Sequence, residues 1–177
     1  MNLPMHPDLK ISNKFPNFEL PDQDGINQKL SQLLRGFPGV LMFSRGYYCP
    51  KDRHQMTNYV NLLQPEMRVN YTKMITVTVD DKLKTAEMRD ALAADWPFLM
   101  DTDRRLLHEL QMVDDTDPIH GEVYIPYSFI LNGDRTIYKI YNGWWYLGRP
   151  TVEEIRMNLR ALMSQRSDWV HPHGSIK

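Results

Sequence analysis

Cysteine is all but absent from this chain: Cys49 is the one such residue among 177. A single thiol excludes an internal disulfide and a cysteine-rich zinc site, since both need partners. An excess of one charge is missing too. Lysine and arginine total 21 against 22 aspartates and glutamates, a net charge of -1. The electrostatic footprint of a polybasic nucleic-acid or membrane-surface binder is therefore lacking. No apolar run approaches the ~20 residues that span a bilayer. Met1–Lys10 holds no continuous apolar stretch of the kind a secretory leader carries. His6, His54, His108, His120, His171 and His173 share no ligand spacing on a common element, so neither a metal nor a cofactor is expected. The expectation left standing is a cytoplasmic domain with one thiol, either inert or the purpose of the protein.

What is present is ordinary for a globular chain: 42% hydrophobic and 24% charged residues. This length suits one domain burying roughly two thirds of its extended-chain surface. Residues 1–14 read as an arm lying over the domain, 15–166 as the domain, and 167–177 as an unstructured tail. Pro16–Pro21 alternates between prolines and fits an edge strand. Asp22–Gly25 then makes a turn, and Leu30, Leu33 and Leu34 follow at helical spacing. Val40–Phe43 is a continuous apolar run, the mark of a strand buried on both faces. Pro50 opens a helix that turns Met56, Tyr59, Val60 and Leu63 inward and stops before Pro65. Strands follow over Met74–Val79 and Pro97–Met100, with helices over Lys82–Ala94 and Arg104–Leu110. Tyr127–Leu131 and Thr136–Tyr141 flank Asn132-Gly133-Asp134, a hairpin signal. Thr151 and Glu154 form a capping-box pattern ahead of Val152, Ile155, Leu159 and Leu162 on one helical face. Strands alternating with helices require a mostly parallel sheet covered on both faces, with the hairpin adding antiparallel strands.

A lone cysteine is more often a small buried hydrophobe than a nucleophile. Four local features favour a functional thiol here. Cys49 follows a core strand and opens a helix, where open α/β sheets deliver functional groups. The free N–H groups and positive end of that helix stabilise a thiolate. Arg45, Lys51 and Arg53 outnumber Asp52 nearby, and cationic neighbours lower a thiol pKa. The apolar pattern also puts Cys49 in the loop rather than in the strand. Arg45 could hydrogen-bond a sulfenate or a polar substrate oxygen, while Asp52 reads as a first-turn helix residue that raises the thiol pKa slightly. Tyr47 and Tyr48 either shape a pocket over the sulfur or pack. Gly143-Trp144-Trp145-Tyr146 covers the sheet edge, walls a pocket or meets another subunit.

These segments resemble the alkyl hydroperoxide reductase/thiol-specific antioxidant (AhpC/TSA) branch of the thioredoxin-like superfamily, the peroxiredoxins and their relatives. The resemblance spans residues 15 to 165. It rests on Phe18–Gly25, Val40–Pro50, Pro97–Asp103 and Ile125–Asp134. It implies a three-layer α/β/α sandwich with a central mixed sheet and an active cysteine at Cys49. It also implies a cis-proline at Ile125–Pro126 that approaches the sulfur. Met42 and Gly46 stand where typical members carry proline and threonine or serine, and Pro126 stands where they carry arginine. Arg45 or Arg149 would replace that arginine, giving a divergent Arg-Gly-x-x-Cys-Pro site. The implied activity is one-cysteine reduction of hydroperoxides, with Cys49 and Arg45 catalytic and Tyr47, Tyr48, Pro126 and Arg149 lining the substrate site. An external thiol, glutathione or thioredoxin, would resolve the sulfenic acid, and a homodimer is a candidate assembly. Two alternatives stay open: a monothiol exchange oxidoreductase, and a non-catalytic binding module on the same fold.

Overall fold

The computed structural model describes residues 4–168. A hairpin comes first, with β1 (Glu19–Pro21) antiparallel to β2 (Asn27–Lys29). Its turn is the expected one: the Asp22 carboxylate accepts from the N–H groups of Asp24 and Ile26, each at 3.0 Å. The short helix α1 (Leu30–Leu34) follows directly. Strand β3 (Gly39–Phe43) is buried along its whole length, as its unbroken apolar run requires. Then come α2 (Pro50–Leu62), α3 (Gln64–Asn70), β4 (Lys73–Thr78), α4 (Lys82–Leu92), β5 (Phe98–Met100) and α5 (Arg105–Glu109). A two-residue ribbon, β6 (Val113–Asp114) with β7 (Val123–Tyr124), precedes β8 (Tyr127–Leu131), β9 (Ile137–Asn142) and α6 (Val152–Ser164).

Five strands form one sheet in the order β5-β4-β3-β8-β9. Helical crossovers make β3, β4 and β5 parallel, whereas β8 runs antiparallel to β3 and to β9. Side chains alternate across the sheet, so β3 supplies both faces. Leu41 and Phe43 join Phe15, Leu30, Leu34, Leu107 and Phe129 in one core. Val40 and Met42 join Met56, Tyr59, Met88, Ile130, Ile155 and Leu159 in the other. Helices α1 and α5 therefore cover one face, and α2, α4 and α6 the opposite one. This is the expected three-layer sandwich with a mixed sheet. Ahead of β1, Leu9 and Phe15 are buried in the first core, and Ser12 and Asn13 exchange backbone hydrogen bonds with Ile137.

Two short elements were not foreseen, and one expectation is corrected. Helix α2 stops before Pro65 as expected, and Pro65 sits in the first turn of the unforeseen α3, the one helical turn where a missing N–H costs nothing. The β6–β7 ribbon was not foreseen, because two-residue strands carry no period to detect. The Ile125–Pro126 bond is trans, with no cis peptide bond among the described residues. There the Tyr127 N–H donates to the Ile125 carbonyl at 2.7 Å, closing a three-residue turn that suits the fixed φ of proline. The tail expected after Ser167 lies outside the described residues beyond Asp168. Among the described residues, no helix is long and apolar enough to cross a membrane.

Phe129 is fully buried and meets Phe15 edge-on at 4.9 Å and Phe43 at 5.9 Å. Phe129→Ala is expected to lower stability by about 3–5 kcal/mol. Thr151→Ala breaks the observed capping box of α6 and is expected to cost about 1 kcal/mol. Urea denaturation followed by far-ultraviolet circular dichroism measures both.

Candidate active site

Cys49 occupies the N-cap position of α2, with φ −79° and ψ 109°. Pro50 is the first helical residue, so the turn ahead of it has to deliver the thiol. The Cys49 N–H closes that turn onto the Gly46 carbonyl at 3.0 Å. Gly46 has φ +120°, and a Cβ there would lie 2.9 Å from the Asp80 carboxylate. Glycine is required on both grounds. Asp80 in turn accepts from the Tyr47 N–H at 2.6 Å and the Thr78 hydroxyl at 2.9 Å. The turn is thereby fastened to the end of β4.

The other fastening is Asp52, a carboxylate buried to 1% exposure. It accepts from the Ser44 hydroxyl at 2.9 Å, from the Arg45 N–H at 2.7 Å and from Arg149 Nη1. The same Nη1 donates to Gln55 Oε1 at 2.9 Å, Gln55 donates to the Tyr59 hydroxyl at 2.7 Å, and Tyr59 donates to the Pro150 carbonyl at 2.7 Å. The Arg149 side chain is only 7% exposed. Its Nε–H is buried with no hydrogen-bond partner among the described residues. A buried, unspent guanidinium donor is costly unless something uses it.

Cys49 itself is buried to 6% exposure. Burial pushes its thiol up, and the Asp52 charge pushes in the same direction. The N–H groups of Asp52 and Lys51 and the Arg149 charge pull it down, without reversing the shift. The expected depression of the thiol pKa is thus corrected. Lys51 and Arg53 point to solvent, and Arg53 lies over the Tyr47 ring at 5.3 Å. Arg45 turns away to carboxylates of the β6–β7 region, Asp114 at 2.5 Å and Asp117 at 3.3 Å. The sequence-distant Arg149 is the larger cationic influence on the sulfur.

The remaining residues read from the sequence divide into two groups. Pro126 sits beside Arg149: its carbonyl accepts from the Gly143 N–H at 3.0 Å. A Cβ on Gly143 would come within 2.4 Å of that oxygen and 2.9 Å of Arg149 Cγ. Gly143 is therefore needed for close approach. Tyr48 points the other way, toward Asp117 at 2.7 Å. Trp144 packs on the first core, while Trp145 is 75% and Leu147 95% exposed. Leu147, Gln55, Tyr59, Arg149 and Val152 line a cleft of about 250 Å³. Among the described residues, no group of His, Cys, Asp and Glu is placed to hold a metal ion. Asp52 as a hub was missed, yet a signal existed. Asp52, Gln55, Met56 and Tyr59 fall at i, i+3, i+4 and i+7, one face of α2.

The sheet order and the thiol at the first helix after β3 define a thioredoxin-like fold of the peroxiredoxin type. The AhpC/TSA family profile matches residues 11–140. The chain belongs to that family. A protein of Mycobacterium tuberculosis, whose name places it provisionally among the peroxiredoxins, is 28% identical over 93 residues. That match spans 52% of this chain and 60% of the relative's own length. Among solved structures, peroxidoxin BcpB from M. tuberculosis aligns with a TM-score of 0.72 at 21% identity, covering 89% of this chain and 99% of that one. A cysteine-to-serine mutant of peroxiredoxin 6 from Arenicola marina gives 0.75 at 21%, covering 91% and 80%. The yeast mitochondrial 1-Cys peroxiredoxin gives 0.70 at 20%, covering 93% and 84%. At these identities the likeness is one of fold.

Three outcomes follow for the thiol. Its iodoacetamide alkylation rate is expected to keep climbing above pH ~8.5, the unperturbed midpoint. In Asp52→Asn the midpoint is expected to fall, because a charge that opposes the thiolate is gone. Gly143→Ala is expected to displace Arg149 and raise the midpoint further. A fall with Gly143→Ala would show that Arg149 does not act on the sulfur.

Proposed function

We propose that the protein is a one-cysteine thiol peroxidase acting through Cys49. The observation that carries this reading is the unspent Nε–H of buried Arg149 next to a thiol at a helix N-terminus. In the reaction, the Cys49 thiolate attacks one peroxide oxygen, and the O–O bond breaks. The sulfur gains that oxygen as a sulfenic acid, and the leaving oxygen departs as water or an alcohol after taking a proton. Arg149 and the N–H groups of Lys51 and Asp52 stabilise the charge that moves onto the oxygens. Arg149, not Arg45, takes this role, since Arg45 is already committed to Asp114 and Asp117. Because the thiol is held protonated at rest, oxidation climbs with pH alongside alkylation.

No second cysteine is present in the chain, so resolution needs an external thiol. A first thiol displaces the sulfenic oxygen as water to give a mixed disulfide, and a second thiol releases Cys49 and leaves as a disulfide. The yeast mitochondrial 1-Cys peroxiredoxin is resolved via glutathione and thioredoxin systems, which supports testing both. Exposed Trp145 and Leu147 favour a second reading, a binding surface for a partner or a second copy of the chain. A Cys49→Ser chain that kept full cellular function would establish that reading instead.

Dilute hydrogen peroxide is expected to add one oxygen at Cys49, trapped by dimedone and located by mass spectrometry. Arg149→Leu is expected to slow this step by about a hundredfold, with circular dichroism confirming the fold. A Cys49 that takes no oxygen at any pH up to 10 would end the peroxidase reading.

A further inference from the structure

The turn that delivers Cys49 is also held by a segment with no part in the chemistry above, residues 115–122 between β6 and β7. Asp117 gathers donors from both sides. From the Cys49 turn it accepts the Tyr48 hydroxyl at 2.7 Å and Arg45 Nη2 at 3.3 Å. From its own loop it accepts the N–H groups of Ile119 and His120, each at 3.0 Å. The His120 ring lies flat on the Tyr48 ring, with centroids 3.4 Å apart and planes 7° apart. Its Nδ1 is 3.1 Å from both Asp117 oxygens. Arg45 is anchored more deeply by Asp114, which is fully buried and also fixes Thr116 through its N–H and hydroxyl.

This loop is not held by apolar burial, because its one large hydrophobic residue, Ile119, is exposed. Arg104 Nε donates to the Glu122 carbonyl at 2.9 Å and holds the far end of the loop; at Asp117 and His120 the polar and stacking contacts to Arg45 and Tyr48 tie the loop and the turn together. Burial and the bond to Asp117 push the Tyr48 hydroxyl up, so it remains a donor. The Tyr48 and His120 bonds hold the Asp117 carboxyl well below the usual carboxylate range.

Tyr48 directly precedes Cys49, so freeing its ring would leave the turn held by Asp80 and Asp52. The sulfur would then leave the N–H groups of Lys51 and Asp52 more often. We propose that Asp117 and His120 are positioning residues for Cys49, clasping the turn through Tyr48 and Arg45 so that its thiol stays on the α2 N-terminus. The benefit to catalysis rests on the peroxidase reading; the clasp itself does not.

The test uses the full chain and two reagents. Hydrogen peroxide is small enough to meet the thiol in place, whereas 5,5′-dithiobis(2-nitrobenzoate) is bulky and needs the turn displaced. Asp117→Ala and His120→Ala are each expected to slow peroxide oxidation about tenfold and to speed reaction with the bulky disulfide about tenfold. His120→Phe keeps the stacked ring and is expected to restore both rates to within about threefold of the parent. A bulky-disulfide rate within twofold of the parent in His120→Ala overturns the proposal, and so does a fall in both rates together. His120 lies on the surface loop, so its variants decide the matter if Asp117→Ala does not fold. If the parent resists peroxide while the bulky-disulfide rates still rise, the clasp stands and the peroxidase reading fails.

Discussion

The buried Asp52 carboxylate is the constraint on which the site depends. A charge taken out of water must be paired and hydrogen-bonded, or it costs several kcal/mol. Asp52 meets that demand with three donors from two separate parts of the chain: the Ser44 hydroxyl and the Arg45 backbone just beyond β3, and Arg149 ahead of α6. Satisfying one carboxylate thus fixes the start of α2 against the central strand and brings in a cation 97 residues away in sequence. Pairing of this kind adds little net stability against a hydrophobic replacement. Its effect is geometric.

The same carboxylate works against the thiol. Its charge lies close enough to Cys49 to hold the proton on, in a position where burial already does so. The helix N-terminus and Arg149 act in opposition. The site balances two requirements on one residue: Asp52 holds Arg149 near the sulfur, and by its sign it offsets part of what Arg149 contributes. A neutral residue in its place would ease ionisation and leave the arginine unanchored.

Much of this fold was legible because it is local. The apolar run of β3, the Asp-Gly turn, the hairpin at Asn132–Asp134 and the Thr151–Glu154 box each declare themselves within a few residues, and each is present. The position of Cys49 followed from Pro50 in the same way. The targets of long side chains were not legible. Arg45, Lys51 and Arg53 cluster around the thiol in sequence, yet two project to solvent and one reaches Asp114, 69 residues on. Near a helix start, neighbours in sequence fan out by about 100° per residue, so closeness along the chain says little about which charge faces the sulfur.

Arg149 shows the opposite case. Nothing local marks it, and its placement arises from Gly143 lying against its stem while Asp52 and Gln55 take one of its nitrogens. Its Nε is buried with no partner among the described residues, so water cannot satisfy it at no cost. An arginine held in this way is preorganised: its side-chain entropy was surrendered on folding, and little remains to be lost when an oxygen approaches. The cation that acts most on the single cysteine is therefore not one of its neighbours in sequence. It is one distant arginine, and that arginine is in place because a buried carboxylate three residues past the thiol required a partner.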